Sequence, residues 1–409
     1  MYRTVIRGYG SASRTGVAMT DIEPVETRSV SSAKAEPFRF FDNREKYLLF
    51  VMTTSEKAEV AARIGRELGH IVPRPPALRV FDAGTGNGMV LSQVLRDLHR
   101  RLPTVPFFVV GKEVSMEDTR LTLATLPDRL AEHPQSVVVL TNMFYAEAPH
   151  LFPRSAEFHD KVRWIDVPLK GASAHEFFQQ IHELDDHLTQ GWQTASSPKT
   201  GNPVYVTPSV MVLYREDHAF ALNDLIPRPT GAPQPFEYDL VLAAQPYRSR
   251  TSAETKVKNV LAPLAKALAP AGRLVVVQST GHDPGMEVIR KIWPAEDPFA
   301  TPRHKLIKEL DAQLNGDTVP DFGFEGTSDA ASLFSYHLHA MPNEVSNRIS
   351  TSTTMAAWNA AVYVAQIEDE RTADVLMEGK YLDATADVVL KHGGLWFQDE
   401  SFVVVRHAS

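Results

Sequence analysis

The chain has 409 residues, a hydrophobic fraction of 43%, a charged fraction of 22% and a formal net charge of −8. Those values suit a globular protein with one large domain or two ordinary ones, and the acidic balance argues against broad nucleic-acid binding, which relies on basic surface. The absence of cysteine excludes disulfides, thiolate zinc sites and a cysteine nucleophile, and no apolar run approaches the ~20 residues of a membrane span, so a cytoplasmic setting is expected.

The first twenty residues carry arginines and small polar residues but no acid before Asp21. They share that with targeting peptides yet lack the apolar core of a secretory signal. Residues 1–36 are expected to be a mobile tail ahead of a domain at 37–409. Phe38, Phe40, Phe41 and Tyr47 then lead into a helical stretch. There Thr53 and Glu56 form a capping-box pattern and Val60, Ile64 and Leu68 recur at helical spacing, with Gly69 as a stop. Pro73, Pro75 and Pro76 separate this helix from the short apolar strand "LRVFDAG".

The following elements alternate. "MVLSQVLRDLHRRL" reads as a helix, "VPFFVVGKE" as a buried strand, "SMEDTRLTLATLPDRLAEH" as a helix interrupted at Pro127, and "SVVVLTN" as a strand. The rhythm breaks over about 149–235, which holds the helical "AHEFFQQIHELDDHLTQGW" and an apparent strand, "VYVTPSVMVLYRED". It resumes with the strand in "YDLVLAAQPY", a helix through Leu261, Leu264 and Leu268, and the strand "RLVVVQSTG". A second excursion covers about 283–392, and "LWFQDESFVVVRH" closes the chain as a final antiparallel strand. Continuous valine and phenylalanine strands spaced by amphipathic helices predict an α/β fold: a doubly wound, mostly parallel Rossmann-like sheet with two large insertions.

The first strand runs into "FDAGTGNGM", with glycines at 84, 86 and 88 behind Asp82. A dinucleotide turn wants G-x-G-x-x-G, and the position three beyond Gly86 is Met89. An acid before the turn adds little to a pyrophosphate site but attracts a ligand carrying positive charge. S-adenosylmethionine, with its ammonium and sulfonium, meets that requirement. On these residues the sequence resembles the class I S-adenosylmethionine-dependent methyltransferases, whose first motif is apolar-D/E-x-G-x-G-x-G.

The resemblance extends over roughly 78–148, 236–281 and 394–409. It implies cofactor contacts from Asp82, Gly84, Gly86 and Gly88. It also implies that Glu113, in "VVGKEVS", accepts both ribose hydroxyls, a place where a dehydrogenase too would use an acid. It puts Asn142, Met143 and Phe144 beside the adenine, where the family's usual aspartate is absent. "FEYDLVLAAQPY" and "LAPAGRLVVV" match the fourth and fifth motifs, with Ala271 in place of one glycine.

In an open parallel sheet the ligand lies outside the strands' carboxyl ends. That brings Gln245, Pro246, Tyr247 and Arg248, and the stretch from Ser279 to Asp283, toward the transferred methyl group. Gln245 is expected at the cofactor and Tyr247 at the substrate. "AQPY" is similar to the N-P-P-Y motif of methyltransferases acting on planar amino groups but lacks the asparagine and one proline. His282 has the reach and pKa range of a base, with a loop histidine as the plain alternative. His337 and His339, with Glu344 nearby, would share one face of a strand. No third ligand stands at defined spacing, so no metal is expected. The excursions could roof a substrate or form a homo-oligomer interface.

The expected activity is methyl transfer from S-adenosylmethionine to nitrogen or oxygen of a small-molecule acceptor. Three alternatives stay open: a protein or RNA acceptor, a cofactor-binding module without chemistry, and a nicotinamide-dependent oxidoreductase.

Overall fold

Three short apolar runs make the centre of the sheet: β1 (Leu78–Asp82), β2 (Phe107–Lys112) and β3 (Ser136–Thr141). The computed structural model describes residues 44–197, 201, 203–315, 321–339 and 351–408. The expected tail at 1–36, the residues Phe38, Phe40 and Phe41, and Glu344 lie outside these. The chain continues through β4 (Arg163–Leu169), β5 (Thr194–Ser196), β6 (Pro203–Tyr205), β7 (Ser209–Arg215), β8 (Tyr238–Ala244) and β9 (Leu268–Ser279). It ends with β10 (Phe322–Glu325), β11 (Leu333–His337) and β12 (Trp396–Arg406).

Among the described residues ten strands form one sheet in the order β10-β12-β9-β8-β1-β2-β3-β7-β4, with β11 also paired to β12. The block from β3 to β9 is parallel, and β12 enters antiparallel to β9. The mostly parallel, doubly wound α/β arrangement with an antiparallel last strand is therefore the one expected. Alternation along each strand feeds two apolar layers. Phe81, Phe108, Val110, Val139 and Val241 face one layer; Val80, Val109, Val138, Leu240 and Leu242 face the other. Helices Met89–Arg101 and Met116–Glu132 connect β1 to β2 and β2 to β3.

Five local expectations are corrected. Helix Met116–Glu132 runs through Pro127 without a break. A helix-interior proline costs roughly 3 kcal/mol, but Leu123, Leu126 and Leu130 are buried on the same helix, and each contributes about 1.5–3 kcal/mol. The apparent strand in the first excursion divides around Pro208 into β6 and β7, and the long helix there divides into Ala174–His182 and Asp185–Gly191. The Thr53–Glu56 capping box does not form. Thr53 ends helix Arg44–Thr53, with its hydroxyl donating to the Leu49 carbonyl at 2.6 Å, and Glu56 opens helix Glu56–Gly65. Leu268 starts β9 rather than ending a helix, paired with Tyr238.

The excursions leave from the carboxyl ends of β3 and β9. Much of the first is built into the sheet, because β7 pairs antiparallel with β3 and carries β4 as an outer strand. On β4 the exposed positions are Asp166 and Pro168. The second excursion packs helices Pro284–Ile292, Thr351–Ala365 and Lys380–His392 with helix Arg44–Thr53 into a third apolar cluster around Phe50, Trp358, Val362 and Phe397. Among the described residues no helix is long and apolar enough to cross a membrane.

Candidate active site

Strand order reverses between β1 and β8. From β1 the chain steps outward to β2 and β3, and from β8 it steps the other way to β9. A ligand crevice belongs outside the carboxyl ends at such a switch point, and a cavity of about 770 Å³ lies there. Gly84, Gly86, Glu113, Gln245 and Tyr247 are among the residues that line it.

The glycine turn is held from several sides. Asp82 Oδ1 accepts the Gly84 N–H at 3.1 Å, and Glu113 Oε2 accepts the Gly86 N–H at 3.0 Å. The Tyr47 hydroxyl accepts the Asn87 N–H at 3.1 Å, and the Thr122 hydroxyl donates to the Gly86 carbonyl at 2.9 Å. Gly86 and Gly88 have φ of 51° and 78°, left-handed values that disfavour side chains. A Cβ at Gly86 would lie 2.7 Å from the Tyr47 hydroxyl, and one at Gly88 would lie 2.8 Å from Thr122 Cα. A Cβ at Gly84 would meet nothing within 4 Å, so bare main chain faces the cavity there.

Carboxylates gather beneath and beside this turn. Burial, with Glu113 adding to it, pushes Asp82 up to about 7. Asp399 of β12 is pushed up to about 8, again by burial first and then by Glu56. Asp399 Oδ1 accepts the Ser279 hydroxyl at 2.9 Å, and the Gln245 amide donates to Ser279 Oγ at 2.9 Å and to Asp399 Oδ2 at 3.3 Å. The Lys57 ammonium lies 2.7 Å from Glu56; although burial opposes it, Glu56, Tyr47 and Asp399 hold its charged form above the ordinary lysine range. Glu56, Asp82 and Asp399 thus share the Lys57 ammonium, and Glu113 faces Lys112. A buried group of like charges raises the pKa of its members and favours an incoming cation.

The sequence-derived residues divide. Asp82, the three glycines and Glu113 meet at the turn, Gly84, Gly86 and Glu113 as cavity lining, and Gln245 lines it from β8 at a φ of 51°. Tyr247 lines it too. Its hydroxyl lies 3.0 Å from Gln278 Oε1, and burial holds it far above its ordinary pKa, so it is a donor and not a base. Asn142 lines the cavity as well; its amide nitrogen donates to the Gly191 and Thr207 carbonyls, both at 2.9 Å, and its amide oxygen accepts the Ser209 N–H at 2.8 Å. Its side chain ties the first excursion to β3. Met143 is corrected. It is 0% exposed in the apolar core, whereas Phe144 is 44% exposed, faces the cavity and lies 4.8 Å from the Tyr205 ring.

His282 is exposed and absent from the cavity wall. The reason is the next residue. Asp283 caps helix Pro284–Ile292 by accepting the Met286 N–H at 2.8 Å and also accepts the Gln398 N–H at 3.1 Å, which directs the loop along β12. His337 and His339 are both exposed, and among the described residues no group of three metal-ligating side chains occurs.

Sequence reasoning missed several wall residues: Lys57, Lys112, Tyr145, Lys256 and Tyr363. Lys112 stands beside Glu113 and was within reach of the motif. Tyr363 comes from helix Thr351–Ala365, nearly 300 positions from the turn, with its ring 4.9 Å from Phe50. Pro203 and Val204 reach the wall from the first excursion.

No family model matches the chain, and no curated protein matches it. Among solved structures it is loosely similar to a geranyl diphosphate methyltransferase in complex with GPP and sinefungin (11% identity, 85% of this chain and 77% of that one, TM-score 0.29). It is similar to the same degree to the cyclopropane synthase MmaA2 from Mycobacterium tuberculosis (11% identity, 84% and 83%, TM-score 0.31). PKMT2 from Rickettsia typhi in complex with AdoHcy is another (12% identity, 85% and 52%, TM-score 0.29). Overlaps this loose assign neither a family nor an acceptor.

Proposed function

We propose that the protein transfers a methyl group from S-adenosylmethionine to nitrogen or oxygen of a small molecule. The observation that carries this reading is the glycine turn that opens on the cavity with the Glu113 carboxylate beside it. A dinucleotide pyrophosphate gains nothing from Glu113 beside the turn, whereas a sulfonium and an ammonium are attracted by it. The sequence resemblance to class I methyltransferases points the same way.

Each Glu113 oxygen accepts one N–H, from Gly86 at 3.0 Å and Ser115 at 2.9 Å. Each keeps a lone pair, enough to take one ribose hydroxyl apiece. Asp82 fixes the Gly84 amide, and the half-exposed Phe144 ring offers an apolar face to the adenine. The bound cofactor supplies an electrophilic methyl group. The remaining task is to orient the acceptor and exclude water. Gln245 and Tyr247 flank the acceptor side from β8, and Tyr47 and Tyr363 close the opposite wall. A cavity of about 770 Å³ falls within the roughly 300–1,000 Å³ of small-ligand sites, which supports a small acceptor.

Calorimetry with S-adenosylmethionine and with NAD tests the cofactor, and binding of NAD alone would overturn the reading. Label transfer from methyl-labelled S-adenosylmethionine into pooled metabolites, peptides and RNA then separates the acceptor classes. Tight cofactor binding with no transfer to any pool would leave a binding module.

A further inference from the structure

Away from the glycine turn the cavity wall changes character. Lys112, at the end of β2, holds its Nζ 4.7 Å from the Tyr145 ring, and Lys256 holds its Nζ 4.7 Å from the Tyr247 ring. The two pairs adjoin, because the Tyr145 hydroxyl donates to the Pro246 carbonyl at 2.6 Å. Lys256 is 2% exposed. It donates to the Ser249 carbonyl at 2.9 Å and to the Thr301 hydroxyl, both neutral, so one of its three protons is left over. Among the described residues the Lys112 ammonium has no hydrogen bond, and neither lysine has an ion pair.

The carboxylates nearby hold other partners, although the charge of Glu113 favours the Lys112 ammonium and that of Glu400 favours Lys256. Glu113 accepts the Gly86 and Ser115 N–H groups, and Asp118 pairs with Arg44 at 3.0 Å. Glu147 accepts the Phe144 and Arg154 N–H groups and the Tyr205 hydroxyl, and Glu400 pairs with Arg303 at 2.9 Å. Burial lowers the pKa of both lysines, that of Lys256 to about 8. A cation–π contact returns about 0.5–2 kcal/mol, whereas burying an ion costs several kcal/mol. Left alone, this arrangement destabilises the protein.

We propose that Lys112 and Lys256 seat an anionic group of the methyl acceptor, a carboxylate or a phosphate, on this wall of the cavity. The assignment rests on the methyltransferase reading above. Arg154 and Arg248 line the same cavity and extend the field that draws such a group in. The cofactor's own carboxylate is an anion as well, and Arg44 and Lys57 beside the turn are already paired with Asp118 and Glu56, so the test is run on protein whose cofactor site is already filled.

The test uses the full chain saturated with S-adenosylhomocysteine and titrated, in separate calorimetric arms, with pyrophosphate and with citrate. The wild type should bind at least one of them, and the arm that responds separates phosphate from carboxylate. In the Lys112→Met/Lys256→Met double variant that binding should weaken by about tenfold or more, the equivalent of roughly 1.4 kcal/mol or greater. S-adenosylhomocysteine affinity should stay within about twofold. Because two unpaired buried charges are removed, the ligand-free double variant should melt at a higher temperature than wild type, which excludes misfolding as the cause of lost binding. The proposal is overturned if neither anion binds the loaded protein, if the double variant binds it as well as wild type, or if the variant instead loses S-adenosylhomocysteine. Failure of wild-type protein to bind S-adenosylhomocysteine would bring down the methyltransferase reading and this assignment with it.

Discussion

The two ends of the cavity are built by different means. At the glycine turn the wall is main chain backed by carboxylates, and nearly all of it comes from one heptapeptide, Asp82–Gly88, with Glu113 reached from the neighbouring strand. At the other end the wall is side chain and cationic, assembled from β2, the loop after β3 and the helix after β8. A turn that needs φ of 51° and 78° at fixed spacing imposes glycine on the sequence. A pair of lysines brought together by strand order imposes nothing local. The first end is set by backbone geometry and the second by topology.

That contrast can be broken most severely at Gly86. Valine there combines a β-branched residue in left-handed backbone with a 2.7 Å approach to Tyr47. S-adenosylhomocysteine affinity should fall on the order of a hundredfold, about 3 kcal/mol, when followed by calorimetry. If affinity survives, the main chain is not what holds the ligand.

A smaller effect should come from proton competition at Asp82, whose carboxyl is pushed from 3.8 up to about 7. A cation favours the ionised form, so S-adenosylhomocysteine affinity should rise with pH to about 7 and level off above, falling by up to about tenfold per unit below. Stability runs the other way. The folded value lies above the unfolded one, so the stability this group contributes is fully present below 3.8 and is lost as pH climbs through about 7. Asp82→Asn should remove the slope in binding isotherms and lessen that in melting curves recorded between about pH 5.5 and 8.5, where Asp399, pushed up to about 8, still titrates.

Asn142→Ala tests a residue that lines the cavity while bracing the first excursion. The Ser209 N–H loses its partner, whereas the Gly191 and Thr207 carbonyls keep the Ser209 hydroxyl, a loss of roughly 1–2 kcal/mol read from chemical denaturation. Cofactor affinity should shift by no more than about threefold, and a larger loss would make contact with the ligand its main role. His282→Ala should do least of all. With an exposed ring away from the cavity, methyl-transfer rate and its pH profile should match wild type within about twofold.

Those last two substitutions also mark where the sequence stops being readable. The parallel core was legible because β1, β2 and β3 are nearly unbroken apolar runs, the signature of a strand covered on both faces. The glycine turn and Glu113 were legible as spacing. What followed β3 was not, because β4 alternates buried and exposed residues and nothing local says that β7 will turn antiparallel against β3. That pairing claims the Asn142 amide, and strand alternation sends Met143 into the core. His282 was misplaced because the neighbouring aspartate caps a helix, which a residue-by-residue reading of the loop undervalues. Lys112 shows the converse. It stands next to a recognised motif residue, and only the Tyr145 ring and the lack of an ion pair among the described residues give it a role.

Strand β4 carries one more consequence. The first excursion widens the sheet and so moves its margin outward, to a row of main-chain groups that another chain could pair with and polymerise upon. Pro168 interrupts that row with a missing N–H, and Asp166 stands exposed two residues earlier. A proline and a charge on an outer strand blunt fibre growth. Pro168→Val should therefore leave the cavity untouched while making concentrated, warmed solutions scatter light and bind amyloid dye sooner than wild type.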